Sequence, residues 1–220
     1  MRFGRKVTVF VLMAVGIFAI SPSALSQERP TPPKTIFRDS DGNLVSNNEF
    51  VDIRMANFHI RDQTIVRTLE DGTIEFQLQK IPQEGMEVGE IRALDITGRP
   101  VNFSEYRGKV VVLNFWFIGC AVCRGEIPKL NDFATKFADE PSIAFMAITT
   151  DPRDEVKKFV DKNRFNYRQI ADGKNALAKF VVGGYPKNIV IGKDGRIAYW
   201  RSTVAAWDKF ESVVRAELAK

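Results

Sequence analysis

The alternation of apolar and polar residues predicts strands and helices in turn along most of the chain. Buried strands are expected at residues 110–117 and 142–149, where apolar runs are continuous. Each run is followed by apolar residues at helical spacing, at 120–137 and 151–163. A strand, helix, strand, helix order predicts parallel strands joined by right-handed crossovers. This part of the chain therefore has the pattern of an α/β fold.

The end of the chain adds an antiparallel element to this pattern. Asp194-Gly195 separates two apolar runs, which predicts a hairpin. A last helix is expected over about 205–218, with Trp207, Phe210 and Val214 on its buried face. The resulting fold class is α/β, with a central mixed sheet flanked by helices.

The preceding residues have a different pattern, with short extended runs separated by turns. Residues 40–43 and 70–73 carry Asp-Gly turn signals. The extended runs are expected at 36–37, 44–45, 50–53, 65–66 and 74–78. We predict a small β-rich segment over residues 35–81, packed on a catalytic domain over residues 82–220.

Two cysteines stand where the strand at 110–117 gives way to a helix. Gly119 breaks the strand, and Cys120 and Cys123 follow with two residues between them. A helix that starts at Cys120 places its sulfur beside free backbone N–H groups and the positive end of the helix dipole, which favour a thiolate. Cys123, one turn later, can form a disulfide with it. We therefore predict a redox site with Cys120 as nucleophile and Cys123 as resolving thiol.

Other uses of two cysteines fit the sequence less well. A structural zinc site needs four ligands, whereas the chain has two cysteines and one histidine, His59, far upstream. A stabilising disulfide usually closes a longer loop, and this one would constrain little of the unfolded chain. Two inert buried cysteines would not require the strand, glycine and helix arrangement.

Asn114-Phe115-Trp116, the Cys-X-X-Cys pair and Glu126-Ile127-Pro128 resemble the active site of the thioredoxin superfamily, in particular its TlpA/ResA branch of exported thiol-disulfide oxidoreductases. The resemblance implies a thioredoxin-like fold over residues 82–220, with Glu126 near the disulfide as the acid that moves protons. Thioredoxin has an aspartate at the position of Asn114, and an amide cannot act as a base. The alternative for Glu126 is a solvated acid in the first helical turn.

The same resemblance assigns residues that meet the substrate. Pro186 matches the superfamily's cis proline, which stands opposite the disulfide, and the backbone before it pairs with substrate as an added strand. We assign Tyr185, Pro186 and Trp116 to substrate binding on this basis. An ordinary trans proline entering a strand is the alternative. Gly119 replaces the family's usual tryptophan, and Ala-Val separates the cysteines, so the sequence does not determine the redox potential.

The N-terminus has the pattern of an export signal over residues 1–26. Basic residues precede an apolar run at 7–20, and Ala24 and Ser26 are small residues at the spacing that a signal peptidase requires. Residues 27–34 are rich in proline and polar groups and are expected to be a linker. We predict a periplasmic or otherwise exported protein, with an uncleaved membrane anchor at 7–20 as the alternative.

Charge and composition argue against several function classes. The net charge of +5 includes three basic residues of the signal, which leaves about +2 on the rest, too little for a nucleic-acid-binding surface. Asp39, Asp41 and Asn43 resemble the start of a calcium loop, but Leu44 and Phe50 occupy positions that need glycine and glutamate. No metal site is predicted.

The predicted function is a periplasmic thiol-disulfide oxidoreductase, acting as a reductase and contributing to cytochrome c maturation as the resemblance implies. It needs no dissociable cofactor, because the Cys120–Cys123 disulfide carries the electrons. Its expected partners are exported protein thiols and disulfides and an upstream membrane electron donor.

Three other functions remain open. A thiol peroxidase of the peroxiredoxin type would use Cys120, although a peroxiredoxin has threonine three residues before its cysteine, where this chain has Phe117. A copper chaperone of the SCO type would need one more residue between the cysteines and a later histidine. A binding module with vestigial thiols would use the β-rich segment.

Overall fold

The computed structural model describes residues 31–40, 42–56, 64–79, 83–180, 184–204 and 206–220, and residues 33–220 form one compact unit. None of the helices in these ranges combines the length and the apolar character needed to cross a membrane. The predicted export signal, the alternative anchor at 7–20 and His59 lie outside the described residues.

Strands and helices alternate through most of the described chain. The strands are β1 (Thr35–Arg38), β2 (Leu44–Val45), β3 (Ile65–Thr68), β4 (Ile74–Gln77), β5 (Arg92–Leu94), β6 (Pro100–Asn102), β7 (Val110–Phe115), β8 (Ile143–Ile148), β9 (Arg168–Ile170), β10 (Lys187–Ile191) and β11 (Ile197–Arg201). The helices are α1 (Asn47–Ala56), α2 (Ala121–Thr135), α3 (Arg153–Asn163), α4 (Lys174–Phe180) and α5 (Trp207–Leu218), with a 3-10 turn at Phe103–Tyr106.

The central sheet has the order β11-β10-β7-β8-β9. Strands β7, β8 and β9 run parallel, whereas β10 runs antiparallel to β7 and forms the predicted hairpin with β11. The register pairs Lys187 at the start of β10 with Phe115 at the end of β7. This pairing brings the residues that follow β7 and those that precede β10 to the same end of the sheet. The predicted α/β thioredoxin-like fold with a mixed sheet is confirmed.

Side chains of β7 alternate between two hydrophobic cores. Val111, Leu113 and Phe115 pack with apolar side chains of α1 and α4. Val110 and Val112 face the opposite side, where α2, α3 and α5 supply most of the partners. All six residues of β7 are buried, as expected for a strand covered on both faces. The sheet therefore holds β7, and the loop that follows it, from both sides.

The β-rich segment forms a separate four-stranded sheet of order β2-β1-β4-β3. Its two predicted hairpins are present, β1 with β2 and β3 with β4, and β1 pairs with β4 in parallel. The segment packs on the central domain through α1, which contacts β11.

The prediction of an extended run at residues 50–53 is wrong, because these residues lie in α1. Phe50 and Ile53 are three residues apart, and on a helix this spacing places both side chains in the core. The Ser46 hydroxyl accepts a hydrogen bond from the Glu49 backbone N–H at 3.1 Å. Ser46-Asn47-Asn48-Glu49 has the spacing of a capping box, which is a helix-start signal. The prediction of an extended run did not take this signal into account.

Candidate active site

Cys120 and Cys123 form a disulfide at the start of α2. Their Cα atoms are 5.3 Å apart, and the Cys123 backbone N–H donates to the Cys120 sulfur at 3.1 Å. Cys120 is the N-cap residue, so its sulfur occupies the position predicted from the sequence, where free N–H groups and the helix dipole favour negative charge. Cys120 is 9% exposed and Cys123 is 2% exposed. An incoming thiol or disulfide therefore reaches Cys120 more readily.

The loop between β7 and the cysteines is held by Asp151. The Asp151 carboxylate accepts hydrogen bonds from the Ile118 backbone N–H at 2.6 Å and from the Thr149 hydroxyl at 2.8 Å. Asp151 is not the N-cap of α3, because Pro152 occupies that position and makes no side-chain capping bond. The carboxylate points instead to the neighbouring loop. Asp151 thus fixes the backbone two residues before Cys120.

Tyr185 and Pro186 lie at the end of the sheet from which the cysteines project. The Tyr185–Pro186 peptide bond is cis, as the resemblance implied. The Tyr185 ring is 5.2 Å from the Phe117 ring in an edge-to-face arrangement, which links this segment to the loop before Cys120. Tyr185 and Val122 remain exposed. Together they provide apolar surface near the accessible cysteine.

Trp116 does not reach this surface. Its side chain is fully buried, with its ring 5.2 Å from that of Phe159 and 5.5 Å from that of Phe165. The alternation of side chains along a strand explains the difference, because Trp116 continues the β7 face that packs against the helices. A bound protein cannot touch it in this arrangement. We therefore correct its predicted role in substrate binding to packing beneath the site.

Glu126 lies one turn after Cys123 on α2 and is 8% exposed, so it is not the solvated first-turn acid of the alternative reading. Its carboxylate accepts hydrogen bonds from the Val204 backbone N–H at 2.7 Å and the Asn188 amide at 3.0 Å. Burial raises the pKa of Glu126, and these two bonds oppose that rise only in part. Glu126 is consequently a buried carboxyl that holds its proton to higher pH than a solvated one. A raised pKa brings a carboxyl closer to neutral pH, where proton exchange is most effective.

Asn188 connects Glu126 to the centre of the sheet. The Asn114 amide donates to the Asn188 side-chain oxygen at 2.9 Å, and the Asn188 amide donates to Glu126 and to the Ser202 carbonyl. Asn188 belongs to no motif that identifies it from the sequence. Its only sequence signal is an amide immediately before the apolar run 189–191. The network fixes the orientation of the Glu126 carboxylate.

Lys187 is a second residue that sequence reasoning missed. It follows Pro186, is 0% exposed, and donates from its ammonium group to the Ser202 hydroxyl at 2.9 Å. Burial lowers the pKa of Lys187 from 10.5 to about 8, and the negative charge of Asp52 limits this fall. Its folded-state pKa lies below its unfolded-state pKa. The contribution of Lys187 to stability is thus complete above about pH 10.5 and is lost as the pH falls through about 8.

A Lys187→Met variant tests this assignment. Relative to the variant, the wild-type free energy of unfolding should rise by about 1–2 kcal/mol between about pH 7 and about pH 10, because wild type no longer buries a charge at the higher pH. Urea unfolding at the two pH values measures the difference. Lys157→Met, at an exposed position of α3, is the matched control. If the difference in unfolding free energy between wild type and Lys187→Met does not change with pH, the assignment is wrong.

Comparison with known sequences supports the same chemistry. The chain matches the AhpC/TSA family over residues 74–200, more than half of its length. It is 27% identical over 144 residues to the thiol-disulfide oxidoreductase ResA of Bacillus thuringiensis, covering 61% of this chain and 83% of that protein. It is 26% identical over 117 residues to the thioredoxin-like protein YneN of Bacillus subtilis, covering 52% of this chain and 69% of that protein.

Solved structures of two other proteins have a fold similar to that of this chain. The thioredoxin domain of a thiol-disulfide oxidoreductase from Bacteroides vulgatus is 27% identical, with a TM-score of 0.53, covering 60% of this chain and 97% of that one. A thiol:disulfide interchange protein from Chlorobium tepidum shares the fold at 19% identity, with a TM-score of 0.55, covering 63% and 99%. The predicted resemblance to ResA-like proteins is therefore confirmed. The chain belongs to the AhpC/TSA family and is a thiol-disulfide oxidoreductase with a thioredoxin-like fold.

Proposed function

We propose that this enzyme reduces disulfides of exported proteins in the periplasm. The observation that carries the proposal is the Cys120–Cys123 pair at the start of α2, with Cys120 the more accessible sulfur and the buried Glu126 one turn further on. The export pattern of residues 1–26 supports the location. The likeness to the thiol-disulfide oxidoreductase ResA supports disulfide exchange with proteins, for which we propose reduction as the direction, cytochrome c maturation as the setting and a membrane protein as the electron donor.

The reaction begins with the reduced enzyme. The Cys120 thiolate attacks one sulfur of the substrate disulfide, which breaks the substrate S–S bond and releases its other sulfur as a thiolate. A mixed disulfide now joins Cys120 to the substrate. The Cys123 thiolate then attacks the Cys120 sulfur and releases the second substrate sulfur. The substrate gains two electrons, and the enzyme becomes the Cys120–Cys123 disulfide.

Proton transfer is the proposed role of Glu126. Cys123 is almost completely buried, so it must lose its proton to a nearby base before it can attack. Glu126 lies one turn away along the same helix, and i, i+3 residues share a face. We assign it to accept this proton and to return it when the enzyme is reduced again. We propose that the substrate chain contacts the exposed Tyr185 and pairs with the backbone before Pro186, whose own side chain is buried.

A Cys123→Ser variant tests the proposal, because it stops the reaction at the mixed disulfide. Wild type should reduce insulin disulfides in the presence of dithiothreitol and should have a reduction potential close to the roughly −270 mV of reducing thioredoxins. The variant should retain covalently bound exported proteins that reductant releases. A strongly oxidising potential, near the roughly −120 mV of DsbA, would reverse the direction. Stoichiometric consumption of hydrogen peroxide by the reduced protein, without insulin reduction, would favour a peroxidase instead.

A further inference from the structure

Asp52 reaches the active-site region from the β-rich segment. It lies on α1 and is 6% exposed. One of its carboxylate oxygens accepts hydrogen bonds from the Thr203 backbone N–H at 2.9 Å and from the Thr203 hydroxyl at 3.0 Å. The two residues are 151 positions apart in sequence. A carboxylate from the added segment thus holds the chain that follows β11.

Glu126 holds the next peptide unit of the same chain. It accepts the Val204 backbone N–H, directly after the Thr203 N–H that Asp52 accepts. Two buried carboxylates, one from α1 and one from the active-site helix α2, therefore bind adjacent N–H groups. Any shift of residues 203–204 moves a hydrogen-bond donor of both carboxylates. Asp52 and Glu126 are mechanically coupled through this segment.

The two carboxylates also interact electrostatically. Burial raises the pKa of Asp52 to about 6; the Thr203 bonds and Arg201 oppose this rise, and the negative charge of Glu126 adds to it. The pKa of Glu126 is set by burial, by the Val204 and Asn188 bonds and by Lys129, so the contact that links Asp52 to Glu126 is the chain at 203–204. Other titratable groups that interact with one or both carboxylates are Lys129, Tyr167, Lys187, Tyr199 and Arg201, and Glu49 interacts with Tyr199.

We propose that Asp52 is a positioning residue for Glu126, through which the β-rich segment controls how readily the acid beside the disulfide loses its proton. Asp52 fixes residues 203–204 and with them the Val204 N–H that Glu126 accepts. The Val204 N–H favours the ionised form of Glu126, so holding it in place makes proton loss from Glu126 easier. The importance of this control for turnover rests on the proposed role of Glu126, but the coupling between the two carboxylates does not.

The coupling is tested by following the Glu126 carboxyl carbon by NMR during a pH titration of the oxidised protein, with Glu126→Gln to assign the signal. Asp52→Ala removes the group that accepts the Thr203 N–H, whereas the amide oxygen of Asp52→Asn still accepts it, and the charge is gone in both variants. The Glu126 midpoint should be higher in Asp52→Ala than in Asp52→Asn by roughly half a pH unit, since only the Asn variant still holds the Val204 N–H that favours ionised Glu126. Asp161→Asn, at an exposed position of α3, is the matched control and should leave the midpoint unchanged.

Equal Glu126 midpoints in Asp52→Ala and Asp52→Asn, or a lower one in Asp52→Ala, overturn the proposal, even if the variants are less stable, since that result leaves Asp52 a purely structural anchor. Should Asp52→Ala not fold, Thr203→Val decides. It removes the hydroxyl bond to Asp52 that helps to hold residues 203–204, and the Glu126 midpoint should rise above that of wild type by a smaller amount. Because the titration needs no substrate, its result is separate from the proposed function, whose failure would appear as absent insulin reduction by wild type.

Discussion

A Cys120→Ser variant is expected to lose insulin reduction by at least about a thousandfold, the scale of loss when a catalytic nucleophile is removed. A serine hydroxyl at the helix start remains protonated at neutral pH and cannot form a mixed disulfide. Cys123 cannot take over, because it is 2% exposed and lies beneath the first turn of α2. The measurement is the rate of insulin precipitation with dithiothreitol as electron source.

Cys123→Ser is the control for this loss, because it should also lose turnover yet still form the mixed disulfide with substrate. Comparison of the two variants therefore distinguishes attack on the substrate disulfide from release of the reduced substrate. Retention of substantial turnover by Cys120→Ser, with a normal circular dichroism spectrum, would contradict the assignment of Cys120 as nucleophile. Loss of mixed-disulfide formation in Cys123→Ser alone would exchange the roles of the two cysteines.

A Phe133→Ala variant is expected to lose about 3–5 kcal/mol of unfolding free energy. Phe133 is buried on α2, with its ring 4.8 Å from that of Phe210 and 5.9 Å from that of Trp207, both on α5. It also contacts the ring of Phe145 on β8. Alanine would leave a cavity where helix α2, helix α5 and the sheet meet, and these rigid elements cannot collapse to fill it.

Guanidinium unfolding of the oxidised protein measures this effect. Phe133→Leu is the matched control, because it keeps most of the apolar volume and should cost less than half as much, on the order of 1–1.5 kcal/mol. Equal costs for the two variants, or a cost of Phe133→Ala below about 1 kcal/mol, would show that α2 is not held by this aromatic contact.

Local sequence patterns were sufficient for most elements of the fold. The continuous apolar run of β7, the helical spacing after Cys120 and the Asp194-Gly195 turn each depend on residues close together in the chain, and all three features are present. Helix α1 was missed because Phe50-Val51-Asp52-Ile53 is short and rich in β-branched residues. Tertiary packing of Phe50 and Ile53, together with the Ser46 cap, outweighed that propensity.

The residues of the active site likewise fall into two groups: those that local sequence identifies and those whose surroundings depend on distant parts of the chain. Cys120 and Cys123 could be identified because their reactivity depends on adjacent residues and on the start of one helix. The burial of Trp116 depends on which face of β7 the helices cover. The partners of Glu126, by contrast, lie 62 and 78 residues away in sequence.

The amino-acid sequence by itself determined the Cys-X-X-Cys pair and the order of strands and helices around it, because both are expressed in short-range spacing, whereas Pro186 was matched through the family resemblance. Only the tertiary structure decided the surroundings of Glu126, the burial of Lys187 and the approach of Asp52 to Thr203. These features arise where separate parts of the chain exclude water from one another. Burial and hydrogen bonding between distant residues, which set the proton affinity of a carboxylate, leave no periodic signal in the sequence.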